Sequence, residues 1–187
     1  MTSRDGVISV VMNKEGIVVE ILHAPWRIEY IMNKPQNEGD GSIFTQIGRS
    51  NEDEKNLVLY RGKSCFTMLN NYPYAGGHSM VIPYREVRDL DELSREENLE
   101  LWSQVSLCRK AMSQEMHPHG FNIGINLGEA AGAGIAEHLH VHVVPRWRGD
   151  FNFMPVIGQT NILPEALLQV AEKLRNAMKN LAELSED

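Results

Sequence analysis

In Glu137-His138-Leu139-His140-Val141-His142-Val143-Val144, histidine alternates with aliphatic side chains from His138 onward. Successive side chains of a strand leave opposite faces. The pattern therefore predicts a strand from His138 to Val144, with His138, His140 and His142 on one face and Leu139, Val141 and Val143 turned to a core. Burying the aliphatic face fixes the register, because a slip of one residue would exchange the two faces. A strand needs neighbours, and the flanking sequence supplies them. Phe121-Asn-Ile-Gly-Ile-Asn126 reads as a strand joined to the histidine run by the glycine-rich Gly128-Glu-Ala-Ala-Gly-Ala-Gly134. Leu57-Val-Leu-Tyr60, Cys65-Phe-Thr-Met-Leu69 and Ser79-Met-Val-Ile82 are short β-type runs bounded by Gly and Pro, at the spacing of an antiparallel meander.

Helices complete the pattern. Ser94-Arg-Glu-Glu97 is a capping box, and Leu101, Val105, Cys108, Met112 and Met116 follow on one helical face. This predicts a helix of about five turns that stops before His117-Pro118-His119-Gly120. Pro164-Glu165 opens a last helix with Leu167, Leu168, Ala171, Leu174, Met178 and Leu181 at helical spacing. The fold class is α+β, an antiparallel sheet with one long helix and a C-terminal helix. Upstream, Val7-Ile-Ser-Val-Val-Met12 and Ile17-Val-Val-Glu-Ile-Leu22 flank Asn13-Lys-Glu-Gly16 and read as a hairpin, while Asn33 to Glu54 is polar and reads as a long surface connection. The expected organisation is an N-terminal extension over residues 1–55, a core over 56–158 and a C-terminal helix over 159–187.

Composition narrows the function classes. The chain has 187 residues, 42% of them apolar, and a formal charge of −7. That suits one domain, and the acidic balance disfavours a general grip on nucleic-acid backbones. No apolar stretch approaches the length of a membrane span, and no signal pattern opens the sequence, so a cytoplasmic protein is expected. Cys65 and Cys108 are the only two cysteines, each among apolar residues, and read as buried reduced thiols.

Three of the seven histidines stand at alternate positions. A single metal shared by all three is excluded by distance: His138 and His142 would lie about 13 Å apart along a strand, against Zn–N bonds of about 2 Å. An adjacent pair would need further ligands from elsewhere. Catalysis by imidazole itself remains, and phosphoryl or nucleotidyl transfer suits it, because a neutral ring nitrogen is a competent nucleophile at physiological pH. The loop Gly128 to Gly134 matches neither the GxxxxGK[ST] nor the GxGxxG pattern. Its glycines would let backbone N–H groups approach an anion, and they would equally serve a plain sharp turn.

His138-Leu-His-Val-His-Val-Val144 resembles the signature of the histidine triad superfamily, in which three histidines alternate with apolar residues. Met68-Leu-Asn-Asn-Tyr-Pro-Tyr-Ala-Gly-Gly-His-Ser-Met-Val-Ile-Pro83, Gly120 to Gly128, Ala131 to Ala136 and Pro145-Arg-Trp-Arg-Gly-Asp-Phe-Asn-Phe153 extend the likeness to the branch of diadenosine tetraphosphate phosphorylases and fragile-histidine type dinucleoside polyphosphate hydrolases. A family-like Ala24-Pro-Trp-Arg-Ile-Glu-Tyr-Ile31 lies upstream. The resemblance implies attack by His140 on an α-phosphate, a nucleotidyl-histidine intermediate, and its release by phosphate or water. It implies that His142 binds phosphate and assists the leaving group, and that His138 orients the nucleophile. Asn126 and the loop through Gly134 would contact phosphate, Asn70 the ribose, and His78 would line the site. Read without the family, Asn70 is a turn residue and His78 a strand histidine.

The resemblance also implies a homodimer and a small nucleotide substrate, which magnesium could accompany, with no cofactor required. A nucleoside phosphoramidase of the same superfamily and a non-catalytic nucleotide-binding regulator are the alternative readings. One departure stands out. Many bacterial relatives carry Cys-x-x-Cys near the N-terminus as part of a zinc site, and here Ser42-Ile-Phe-Thr45 occupies the equivalent stretch. Hydroxyls are poor zinc ligands beside thiolates, so structural zinc is not expected, and His117 and His119 read as turn residues. The Val7 to Leu22 extension would either cover an edge strand or contact a partner chain.

Overall fold

A computed structural model describes residues 8–12, 18–22, 41–150 and 165–184. The chain divides into two compact units, one of residues 1–36 with 152–162, the other of residues 37–151 with 163–187. In the first, β1 (Ile8–Met12) pairs antiparallel with β2 (Val18–Leu22), as the two β-branched runs predict.

The second unit holds a five-stranded sheet of β3 (Val58–Arg61), β4 (Cys65–Leu69), β5 (Ser79–Pro83), β6 (Gly120–Ile125) and β7 (Val141–Arg146), in the order β3-β4-β5-β7-β6. Every neighbouring pair is antiparallel. The helices are α1 (Ile43–Arg49), α2 (Arg95–Met116) and α3 (Leu167–Glu183). Ser94 and Glu97 form the reciprocal cap read from the sequence, and His117 ends α2 in the left-handed conformation. Leu101, Val105, Cys108 and Met112 of α2 meet Val170, Leu174 and Met178 of α3 against Cys65, Leu69, Val81, Leu139, Val141 and Val143 of the sheet side. Both cysteines are buried free thiols, and burial pushes each up to about 12. Gln104, nearly buried in the middle of α2, ties helix to sheet: its amide donates to the Cys65 carbonyl at 2.8 Å, and its oxygen accepts from Thr67 at 2.9 Å.

Two sequence expectations change. The surface connection drawn from Asn33 to Glu54 contains α1, whose Phe44, Thr45 and Ile47 are buried. Phe44 and Ile47 join Val58, Phe66, Met68, Met80 and Ile82 in a second core on the opposite face of the sheet. A helix of seven residues is too short to show helical periodicity against a polar background. Tertiary bonds hold it instead. Arg61 donates to the carbonyls of Gly48 at 2.8 Å and Ser50 at 2.8 Å, groups left without partners at a helix end, and also pairs with Asp53 at 2.7 Å. The second change is that β7 begins at Val141 rather than His138. His138 and His140 lie in the segment leading into it. Leu139 makes its backbone bond outside the ladder, its N–H donating to the Val87 carbonyl at 2.7 Å. The alternation of faces survives this irregularity, because Leu139, Val141 and Val143 remain buried in one cluster while Phe44 packs on both His138 and His140.

Candidate active site

Three elements bring the imidazoles together: the segment entering β7 carries His138 and His140, β7 carries His142, and the start of β5 is preceded by His78. The ladder sets their spacing, since Met80 pairs with His142 and Ser79 with Val143. His78 then reaches His142, with its Nε2 at 3.0 Å from His142 Nδ1. The His140 and His142 rings lie edge to face with centroids 4.9 Å apart.

The hydrogen bonds fix which nitrogen carries each proton. A carbonyl can only accept, so His140 Nδ1, 2.8 Å from the His138 carbonyl, bears the hydrogen. Nε2 of the neutral ring is then the lone-pair nitrogen. Burial, opposed by that backbone bond, holds the His140 pKa below its ordinary value, so the ring is neutral and nucleophilic at neutral pH. The Tyr74 N–H donates to His78 Nδ1 at 3.1 Å, which puts the His78 proton on Nε2, donating to His142 Nδ1. His142 accepts on Nδ1 and so carries its own proton on Nε2. Burial, with the neighbouring His142 and His140, pushes His78 down to about 3, so it stays neutral and keeps this tautomer. The arrangement presents one lone-pair nitrogen and one N–H beside it, the pair needed to attack phosphorus and to protonate a departing oxygen.

His138 has a different character. It is fully buried; its Nε2 donates to the Pro83 carbonyl at 2.8 Å and its Nδ1 lies 2.6 Å from Ser42 Oγ. Both ring nitrogens are committed within the protein, and the group that meets His140 is the His138 backbone carbonyl. Asn70 stands beside His78: its N–H donates to the His78 carbonyl at 2.8 Å, and its side-chain oxygen accepts from the Tyr72 N–H at 2.9 Å. Tyr74 stacks on His78 at 4.6 Å. Asn126 is half-buried, one step beyond the last ladder pair Ile125↔Val141, which sets it level with His140. Gly134 lies in a bend of the loop before His138. That loop holds a short 3-10 turn, Glu129–Ala131, between Gly128 and Gly132 in positive φ, a conformation glycine adopts without strain.

The turn after β7 packs elsewhere. Trp147 donates its indole N–H to the Met116 carbonyl at 3.3 Å, the Arg148 N–H donates to His119 Nδ1 at 2.9 Å, and Arg146 pairs with Asp150 at 2.6 Å. His117 and His119 are thus turn residues, as read. Phe153 and the upstream Ala24 to Ile31 stretch lie outside the described residues. Sequence reasoning missed Phe44, Tyr74 and Glu86. Of these, Tyr74 stood in the Met68 to Pro83 motif and Phe44 within Ser42 to Thr45, but nothing local marks Phe44 or Glu86 as neighbours of the histidines.

Zinc fits poorly at the position that the resemblance would assign to it. Ser42 and Thr45 offer hydroxyls instead of thiolates, and the Ser42 Oγ sits 2.6 Å from the His138 nitrogen that would have to turn to a metal. Thr45 donates to the Glu86 carboxylate at 2.7 Å, and the Ser42 N–H donates to the same oxygen at 2.7 Å. The donor set is consumed by its own hydrogen bonds.

Comparison with known proteins places this geometry. A family profile described as HIT domain matches residues 51–149. The chain is 43% identical over 152 residues to an AP-4-A phosphorylase of Mycobacterium tuberculosis, covering 78% of this chain and 77% of that protein. It is 35% identical to the asymmetrical bis(5'-nucleosyl)-tetraphosphatase of Schizosaccharomyces pombe, over 51% of this chain and 52% of that protein. Among solved structures, a zinc-bound histidine triad family protein of Mycobacterium smegmatis superimposes with a TM-score of 0.61 at 25% identity, covering 77% of this chain and 97% of its own.

Proposed function

The chain belongs to the histidine triad family, and from that premise we propose that it cleaves dinucleoside polyphosphates of the diadenosine tetraphosphate kind at the α-phosphate. The observation that carries this reading is the Nδ1–H···O=C bond from His140 to His138, which leaves the His140 Nε2 lone pair as the attacking group. Attack forms a nitrogen–phosphorus bond as the bond from phosphorus to the bridging oxygen breaks. His142, its Nε2–H set by His78, binds the phosphate and gives its proton to the departing oxygen. Phosphate or water then displaces the nucleotide from His140, the first as in a phosphorylase and the second as in a hydrolase. Asn70 faces the ribose, and Asn126 with the Gly128 to Gly134 loop takes the phosphates. The activities for which the two relatives are named support the substrate class, and the greater identity with the phosphorylase favours phosphate as the acceptor.

The same reading takes the protein as a cytoplasmic homodimer. Edge strand β6 supports an interface, with Ile123 40% exposed on it and Leu127 40% exposed just beyond it. Among the described residues no helix is long and apolar enough to cross a membrane.

The test is product analysis with diadenosine tetraphosphate, with and without inorganic phosphate, beside an adenosine phosphoramidate. Cleavage of the tetraphosphate is expected, yielding ADP in place of AMP when phosphate is the acceptor. His140→Ala should lower kcat at least about a thousandfold while nucleotide affinity is kept. Turnover of the phosphoramidate alone would overturn the substrate assignment.

A further inference from the structure

The hydrogen bonds around His138 form a closed set outside the reacting groups. Gly41, at φ 95, leads into α1 where an added Cβ would meet the Thr45 side chain at 2.9 Å. Ser42 then caps the helix, its Oγ accepting from the Thr45 N–H at 3.2 Å. Because His138 Nε2 donates to Pro83, the neutral ring must accept on Nδ1, and the Ser42 hydroxyl is the donor at 2.6 Å. Glu86, reaching in from the exposed rim, takes both the Ser42 N–H and the Thr45 hydroxyl on one carboxylate oxygen. Ser42, Thr45 and His138 are buried, so the bonds that Ser42 makes to Thr45 and His138, and His138 to Pro83, are shielded from competing water, while the two to Glu86 lie nearer the surface. The set links α1, the turn after β5 and the segment entering β7. Its output is the His138 carbonyl, which fixes the His140 ring.

We infer that Ser42, Thr45 and Glu86 are positioning residues that hold His138, and through its carbonyl the nucleophile His140, by hydrogen bonds alone at the place where zinc-binding relatives carry Cys-x-x-Cys. The residues combine three parts of one device. The Ser42 hydroxyl matches the Nδ1 lone pair, as a metal would. The Glu86 carboxylate gathers two donors of the first turn of α1, which a second metal ligand would otherwise tether. Thr45 completes the link between them. The inference rests on His140 being the attacking group, and its structural half can be read without any substrate.

The experiment combines metal analysis of the full-length protein grown with zinc, ¹⁵N spectra of its imidazoles and kinetics of Ser42→Ala. Zinc well below one ion per chain is expected. Ser42→Ala should move the His138 Nδ1 resonance, disturb the His140 Nδ1–H signal, and lower kcat about tenfold with KM little changed, the loss of one hydrogen bond read in the rate. Ser42→Thr, which keeps the hydroxyl, should restore both signals and rate. Should Ser42→Ala fail to fold, Glu86→Gln at the exposed rim is measured in the same way. One stoichiometric zinc in the purified protein would overturn the inference, as would a folded Ser42→Ala with unchanged imidazole spectra. The spectra separate this outcome from an error in the substrate, which would alter turnover and leave them as expected.

Discussion

Acidification should cost this protein stability through His78, and the amount follows from its surroundings. The ring is buried against Tyr74 and His142, and its folded pKa lies at about 3, against 6.5 for the free side chain. A histidine depressed in the folded state contributes stability that is present above the unfolded pKa and is lost as pH falls, because the unfolded chain then binds the extra proton. Between pH 7 and pH 5 the unfolded ring becomes charged while the folded one stays neutral, which removes about 2 kcal/mol. His138 and His140 are shifted the same way by burial and add to the total. Carboxylates held low by their partners, such as Glu97 at about 2 beside Arg85, lose their contribution only as pH falls through and below the ordinary value of 4.5, outside this interval. The assay is urea unfolding of the native protein and of His78→Gln at both pH values. The variant lacks the titrating ring, so its loss on acidification should be smaller by about 2 kcal/mol, whatever its stability at pH 7. Equal losses in the two proteins, to within about 0.5 kcal/mol, would refute the claim that His78 is held neutral by burial.

Arg61→Ala should destabilise the domain by about 2 to 3 kcal/mol in chemical denaturation, since it strips the α1 carbonyls and Asp53 of a charged partner. The same variant should lower kcat, because α1 carries Ser42 and Phe44 to the histidines. Gly62→Ala should cost about 1 to 3 kcal/mol, because a Cβ there runs into Gln104 and Glu100, and Gln104 is pinned between Cys65 and Thr67. Its thermal midpoint checks this. Leu69→Ala, which empties a fully buried position under α2, should cost about 2 to 5 kcal/mol in the same denaturation experiment.

The five strands and two long helices were legible because each is encoded locally. Alternation marks the strands, the Ser94 to Glu97 box marks the start of α2, and aliphatic spacing marks its buried face. The period of the histidine run marked imidazole chemistry on one face; the choice of His140 as the attacking ring came from the resemblance to the histidine triad family, not from the spacing. What escaped was whatever depends on distant partners. Helix α1 has seven residues and owes its place to Arg61, twelve positions beyond its last residue, and to a core on the far face of the sheet. The strand was read as starting at His138, but the Leu139 N–H finds its acceptor in Val87 rather than in a neighbouring strand, and the ladder starts only at Val141.

By itself, then, the sequence determined the fold class, the face on which the histidines stand and the substitution of hydroxyls for thiolates at 42 and 45. Only the tertiary structure decided the proton positions. Whether a ring nitrogen offers a lone pair or a hydrogen depends on what its other nitrogen meets, and those partners are the Pro83 and His138 carbonyls, the Tyr74 N–H and Ser42. Two of those four are remote in sequence from the ring they serve, and none is specified by the period of the histidine run. The period places the three imidazoles; the packing commits both nitrogens of His138 within the protein, leaves the lone pair of His140 on Nε2 and sets the proton of His142 on Nε2.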